Sequence, residues 1–169
     1  MTSPTSSPAI SPGPLLDTVL ARLHARGLAL PASAPSRAMF RPYRVSGKTV
    51  YLAGQISEWE GTVRYTGKVG RDLDLDTARL AAQMCMLNLL FHLKVAAGGS
   101  LDQVAACLRV GGFVNCTGDF ADSPTVIDGA SRLLLDLFGE RGEHARTAIG
   151  VAGLPANGAV EVDAIFELR

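Results

Sequence analysis

The chain lacks an excess of charge of either sign: 16 Lys and Arg are matched by 16 Asp and Glu, for a formal net charge of zero. An extended phosphate-binding surface shows as a basic stripe, so this balance argues against a nucleic-acid partner. Cysteine is scarce. Cys85, Cys107 and Cys116 form no CxxC pair and leave an odd count, which excludes a disulfide framework as the basis of the fold and fits a reducing compartment, the cytoplasm. Cys85 and Cys107 fall in apolar runs and read as core fillers. His24, His92 and His144 are too scattered for metal-ligand spacing, so no metal is expected. No run of about 18 apolar residues occurs, so no membrane span is expected. No basic residue precedes Arg22, so a secretory signal is not expected. Gly111-Gly112 and Gly67-Lys-Val-Gly70 lack the spacing of a phosphate loop and read as turn or bulge glycines.

Apolar residues are plentiful. At 47% hydrophobic and 19% charged, a chain of 169 residues has enough for one well-filled domain and a surplus of apolar surface suited to other subunits. Residues 1–13 are rich in Ser, Thr, Pro and Gly and read as a disordered tail. Pro14 opens a short amphipathic helix ended by Gly27, and residues 31–38 form a linker. The chain therefore divides into an N-terminal region, 1–36, and a domain, 37–169. Within the domain, strands are expected over 40–45, 49–53 and 62–66. A long helix capped by Asp76 follows, with Leu80, Met84, Leu87, Phe91 and Val95 on its inward face. A buried strand spans 104–114. A second helix runs to Phe138, with Val126, Ala130, Leu133, Leu134 and Leu137 inward. Two strands close the chain. The order βββαβαββ describes an α+β domain in which two helices cover one face of a mixed sheet, and the other face needs a partner.

The closing segment carries the chemistry: Arg146-Thr-Ala-Ile-Gly-Val-Ala-Gly-Leu-Pro-Ala-Asn-Gly-Ala-Val-Glu161-Val-Asp-Ala-Ile. It places a cation and a carboxylate on two strands joined by a Leu-Pro turn, and both strands read as buried or half-buried. An Arg held among apolar neighbours is suited to gripping a carboxylate through two parallel hydrogen bonds. The plainer readings are that Arg146 and Glu161 pair with each other or lie at a sheet edge.

This run resembles the closing signature of the YjgF/RidA family of reactive-intermediate deaminases, formerly labelled endoribonuclease L-PSP. Gly47-Lys-Thr-Val-Tyr-Leu-Ala-Gly-Gln55 resembles the family's Gly-Asn-hydrophobic-Ser-Gly-Gln strand. Val114-Asn115, Asp119-Phe120 and Val126-Ile-Asp-Gly-Ala-Ser131 match a third segment in order and spacing. The leading helix and the His144-Ala-Arg146 run point to a longer-chain subgroup. The resemblance implies the chorismate mutase-like α+β fold, a homotrimer with clefts between subunits, and hydrolysis of small amino-acid-derived enamines and imines to 2-oxo acids and ammonia. It implies no metal or organic cofactor, since the substrate is already an activated C=N species. Arg146 then holds the substrate carboxylate and Glu161 positions or activates water, with Phe40, Ala53, Gly54, Asp128 and Ala148 lining the ligand.

The chain departs from the family pattern at these positions. Ala53 replaces a Ser, Phe40 a Tyr, Asp128 an Asn and Ala148 a Cys. Two hydroxyls are thereby lost, and a carboxylate is placed where it repels a substrate carboxylate unless Arg146 compensates. A binding or protein-protecting module that has kept the clamp and lost turnover is therefore the main alternative, with ribonuclease last. Trp59, in Glu58-Trp-Glu60, fits a subunit contact, a pocket mouth or a shield for its hairpin. Asp72, Asp74 and Asp76 alternate with leucines before the long helix but form no complete calcium loop.

Overall fold

The computed structural model describes residues 17–33 and 39–169. The expected tail, the Pro14 helix start and linker residues 34–38 lie outside these. The elements run α1 (Thr18–Ala25), β1 (Tyr43–Ser46), β2 (Thr49–Ile56), β3 (Glu58–Trp59), β4 (Thr62–Val63), α2 (Leu75–Ala96), β5 (Val104–Asn115), α3 (Ser123–Phe138), β6 (Ala145–Val151) and β7 (Val160–Leu168). Five strands form one sheet in the order β1-β2-β7-β5-β6, and β3 and β4 form a separate two-stranded hairpin. All sheet neighbours are antiparallel except β5 and β6, which are parallel. A parallel pair needs a crossover, and α3 supplies it. This is the expected α+β architecture, with α2 and α3 on one face of a mixed sheet.

Alternation along β7 creates the core side of the sheet. Val160, Val162, Ala164 and Phe166 are buried, while the residues between them are partly open. α3 meets this layer as expected: Val126, Ala130, Leu133, Leu134 and Leu137 are all buried. α2 does not follow its expected stripe. Leu80 and Val95 are about half exposed, and the buried residues are Ala78, Ala81, Ala82, Cys85, Met86, Leu89, Leu90 and Leu93 among others. Apolar residues surround most of this helix, so periodicity did not fix its orientation. Its small side chains decided it, by allowing close approach. At Gly129 of α3, an added Cβ would lie 2.8 Å from the backbone carbon of Arg79 on α2.

Other expectations shift locally. Asp74, not Asp76, caps α2, accepting from the Thr77 amide at 2.8 Å, while Asp76 pairs with Arg79. The strand expected over 62–66 shrinks to two-residue β4. The first closing strand, read as buried or half-buried with a sheet edge as the plainer alternative, is a sheet edge: every residue of β6 is exposed except the half-buried Ala148 and Val151. β6 has a neighbour on one side only, and its Ala, Thr and Gly residues have little apolar surface to bury.

α1 joins the same core, with Val19 and Leu23 fully buried. Asp17 caps it through the Val19 and Leu20 amides, and its second oxygen accepts from the Leu101 amide at 2.7 Å. Cys85 and Cys107 are core residues as expected. Burial pushes the Cys107 thiol up to about 12 and that of Cys85 well above its usual range. Among the described residues, no helix is long and apolar enough to cross a membrane, and no three His, Cys, Asp or Glu side chains cluster as metal ligands.

Candidate functional site

Strand pairing decides which residues share a face. Arg146 pairs with Val110, which pairs with Ala164, which pairs with Leu52. Val110, Ala164 and Leu52 are all buried under the helices, so this row is on the helix side. Glu161 pairs with Ile56 and Phe113, and Phe113 with Ile149; this row is on the open side, where Ile149 is 46% exposed. Arg146 and Glu161 therefore project from opposite faces of one sheet. They are two strands and three rows apart, roughly 14 Å in the sheet plane from ordinary strand spacings. One small ligand does not bridge them within a single chain, and they do not pair with each other.

Arg146 is gathered with three other side chains. Its Nη1 donates to Asp128 Oδ1 at 2.7 Å and to Ser131 Oγ at 3.1 Å. The Ser131 hydroxyl also lies 2.9 Å from His144 Nε2, and His144 Nδ1 lies 2.7 Å from the Gly142 carbonyl. Local structure explains the grouping. Asp128 and Ser131 are three apart on α3 and so share a helix face. His144 and Arg146 are two apart entering β6 and so share a strand side. Arg146 is exposed as a whole residue on its edge strand, but its side chain is only 24% exposed, against 57% for that of Asp128. Both of these Arg146 bonds use Nη1. Ala148 continues along β6 on the same side.

Glu161 is gathered with Gly54. An added Cβ at Gly54 would run into the Glu161 carboxylate, so glycine lets that side chain lie against the β2 backbone. The ladder between β2 and β7 is interrupted here, between Leu52 and Gln55, which sets Ala53 and Gly54 apart from regular pairing. Burial pushes the Glu161 carboxyl above its usual range, and the nearby Asp163 carboxylate pushes the same way. Asp163 is itself bound by Arg109 at 2.8 Å. Phe40 is far from the Arg146 group within one chain. It is 55% exposed ahead of β1, the sheet edge opposite β6 and roughly 19 Å from it across four strand spacings.

The sequence reading named Arg146, Asp128 and Glu161 but gave no role to Ser131, His144 or Lys68. The spacings that could have shown the first two are the helical step from Asp128 to Ser131 and the strand step from His144 to Arg146. Lys68 gave no such signal. Its Nζ donates to Asn115 Oδ1 (2.9 Å) and to the Cys116 (3.2 Å) and Ala152 (2.8 Å) carbonyls, tying together the ends of β5 and β6. A cleft of about 720 Å³ opens there between Lys68, Phe120 and Gly150, and neither Arg146 nor Glu161 lines it.

A fold of this order, with an arginine-bearing edge strand leading into a Leu-Pro turn, defines a class. Residues 20–168 match the model of the family described as "YjgF/chorismate mutase-like, putative endoribonuclease". The chain belongs to this YjgF/RidA family. It is 38% identical to Protein TCP17 of Trypanosoma cruzi over 152 residues, covering 89% of this chain and 94% of that one. Its structure is similar to that of a protein of unknown function from Agrobacterium tumefaciens, with a TM-score of 0.86, 38% identity and coverage of 90% and 94% of the two chains. A Shewanella oneidensis protein with the same endoribonuclease description gives a TM-score of 0.85 and 32% identity, covering 89% of this chain and 99% of that one.

Proposed function

We propose that this protein hydrolyses small imines and enamines derived from amino acids, releasing a 2-oxo acid and ammonia. The supporting observation is the Arg146 guanidinium, oriented by Asp128 and Ser131 through Nη1, so that its Nη2–H and Nε–H can pair with a carboxylate. Charge-assisted hydrogen bonds of this kind contribute roughly 1.5–3 kcal/mol. Glu161 positions water from the open face. Because the two residues lie on opposite faces in one chain, the complete cleft takes Arg146 from the β6 edge of one copy and Glu161 from the sheet face of another. The proposed assembly is a homotrimer, and Tyr51 and Ile149, each about half exposed, give the open face apolar surface to bury in it. The unpaired cysteines favour a reducing compartment, and the cytoplasm is the proposed location. No cofactor is invoked, since the C=N bond is already open to water.

The test is a coupled assay in which an amino-acid dehydratase generates 2-aminoacrylate or 2-iminobutanoate and 2-oxo acid release is followed. Acceleration by the wild type, lost in Arg146→Ala, is expected; imine decay at the buffer rate across several such imines would sink the proposal. The hydroxyls missing at Ala53 and Phe40 favour a second reading, a carboxylate-binding module without turnover. It predicts that 2-oxobutanoate raises the melting temperature while no imine is consumed. The endoribonuclease description of the relatives gains no support from a chain with balanced charge.

A further inference from the structure

Within one chain Glu161 is on the far face of the sheet, and the groups beside Arg146 that can move protons there belong to α3 and to the approach to β6. We infer that Ser131 and His144 form a proton relay at the Arg146 site, with Ser131 facing the ligand and His144 acting through it. The Gly142 carbonyl can only accept, so the 2.7 Å contact assigns a proton to His144 Nδ1. In the neutral ring Nε2 is then the bare acceptor, and the Ser131 hydroxyl donates to it across 2.9 Å. Arg146 Nη1 donates to the same Ser131 oxygen at 3.1 Å, which places this hydroxyl against the guanidinium that grips the substrate. A nucleophile or relay hydroxyl bonded to a base, with that base oriented by a third group, is the arrangement that proton transfer requires. The relay also supplies hydroxyl chemistry that Ala53 and Phe40 lack.

The inference rests on the deaminase reading and assigns its proton steps. Water oxygen forms the C–O bond as the C=N electron pair moves to nitrogen. A water proton passes to Ser131 Oγ while the Ser131 proton passes to His144 Nε2, and the reverse transfer delivers a proton to nitrogen. The second water proton follows the same route as the C=O bond forms and the C–N bond breaks. Both water protons leave on ammonia, and the relay is reset without an outside acid or base.

The experiment uses the full chain in the coupled imine assay, with imidazole ¹⁵N NMR as a readout independent of turnover. Ser131→Ala and His144→Gln are each expected to lower kcat by about 10²-fold with KM nearly unchanged, since general acid–base help contributes roughly 10² to 10⁴-fold. Ser131→Thr, which keeps the hydroxyl, should retain most of the rate. Arg146→Ala should instead raise KM. The NMR spectrum should show His144 as the Nδ1–H tautomer, with an Nε2 signal that moves in Ser131→Ala. Wild-type kcat in Ser131→Ala overturns the relay, as does an Nε2–H tautomer. If the wild type hydrolyses no imine, the deaminase reading fails, and the tautomer measurement still decides whether the Ser131–His144 bond exists.

Discussion

Gly129→Ala tests whether the α2–α3 contact is as tight as the structure requires. The new Cβ would lie 2.8 Å from the Arg79 carbonyl carbon and 3.0 Å from its Cα, and closer still to the carbonyl oxygen. Reaching the 3.4 Å of ordinary contact opens the helix pair by at least ~0.6 Å. The obstacle is backbone, which cannot rotate away, and Arg79 is further tied to α3 through its Nε bond to the Thr125 carbonyl at 3.2 Å. Overpacking of this kind costs about 1–3 kcal/mol, and backbone contact favours the upper end. Ala gains about 0.8–1.0 kcal/mol of helix propensity over Gly, which offsets part of it. A net loss of about 2 kcal/mol corresponds to roughly 4–8 °C in Tm for a domain of this size. Thermal unfolding followed by circular dichroism would measure it. Gly118→Ala is the control: nothing lies within 4 Å of its added Cβ, and its change should stay within about 0.5 kcal/mol. A Gly129→Ala protein as stable as wild type would refute the argument, because it would show the helices free to separate. Asp128 and Ser131 flank Gly129, so the same substitution should also loosen the Arg146 group.

Asp128→Asn removes a carboxylate from beside the clamp; we expect 2-oxobutanoate to bind about five- to tenfold more tightly by calorimetry, with stability changed by less than about 1 kcal/mol, since the pair is partly exposed. Unchanged or weaker binding would show that Asp128 orients Arg146 more than it competes with the ligand. The raised carboxyl of Glu161 has a definite sign: the folded state holds its proton more tightly than the unfolded state, so stability falls as pH rises from the ordinary value of 4.5 through the folded one. Glu161→Gln should therefore gain stability over wild type near neutral pH, with the difference vanishing below the ordinary carboxyl range; denaturant titrations showing a pH-independent difference would contradict the shift. Asn88 is buried, and its amide donates to the Ile56 (3.0 Å) and Glu58 (2.8 Å) carbonyls, so Asn88→Ala should cost about 2–3 kcal/mol in urea unfolding. A loss under about 0.5 kcal/mol would mean that water replaces the amide there.

The element order, the inward stripe of α3, the alternation of β7 and the family signature from Arg146 to Glu161 were all legible along the chain, because each is written in local spacing. The sequence also kept Arg146, Asp128 and Glu161 among the candidate residues. Tertiary structure decided which way α2 turns, since its apolar residues surround the helix and close packing of its small residues, as at Gly129 of α3, selects the face. It also made β6 an edge, because strand order depends on which distant segments pair. That edge position and the two-residue alternation of each strand put Arg146 and Glu161 on opposite faces. The same register brought His144 and Arg146 onto the strand side facing Asp128 and Ser131 of α3. No spacing along a single segment encodes that meeting, because it exists only where a helix crosses over a parallel strand pair.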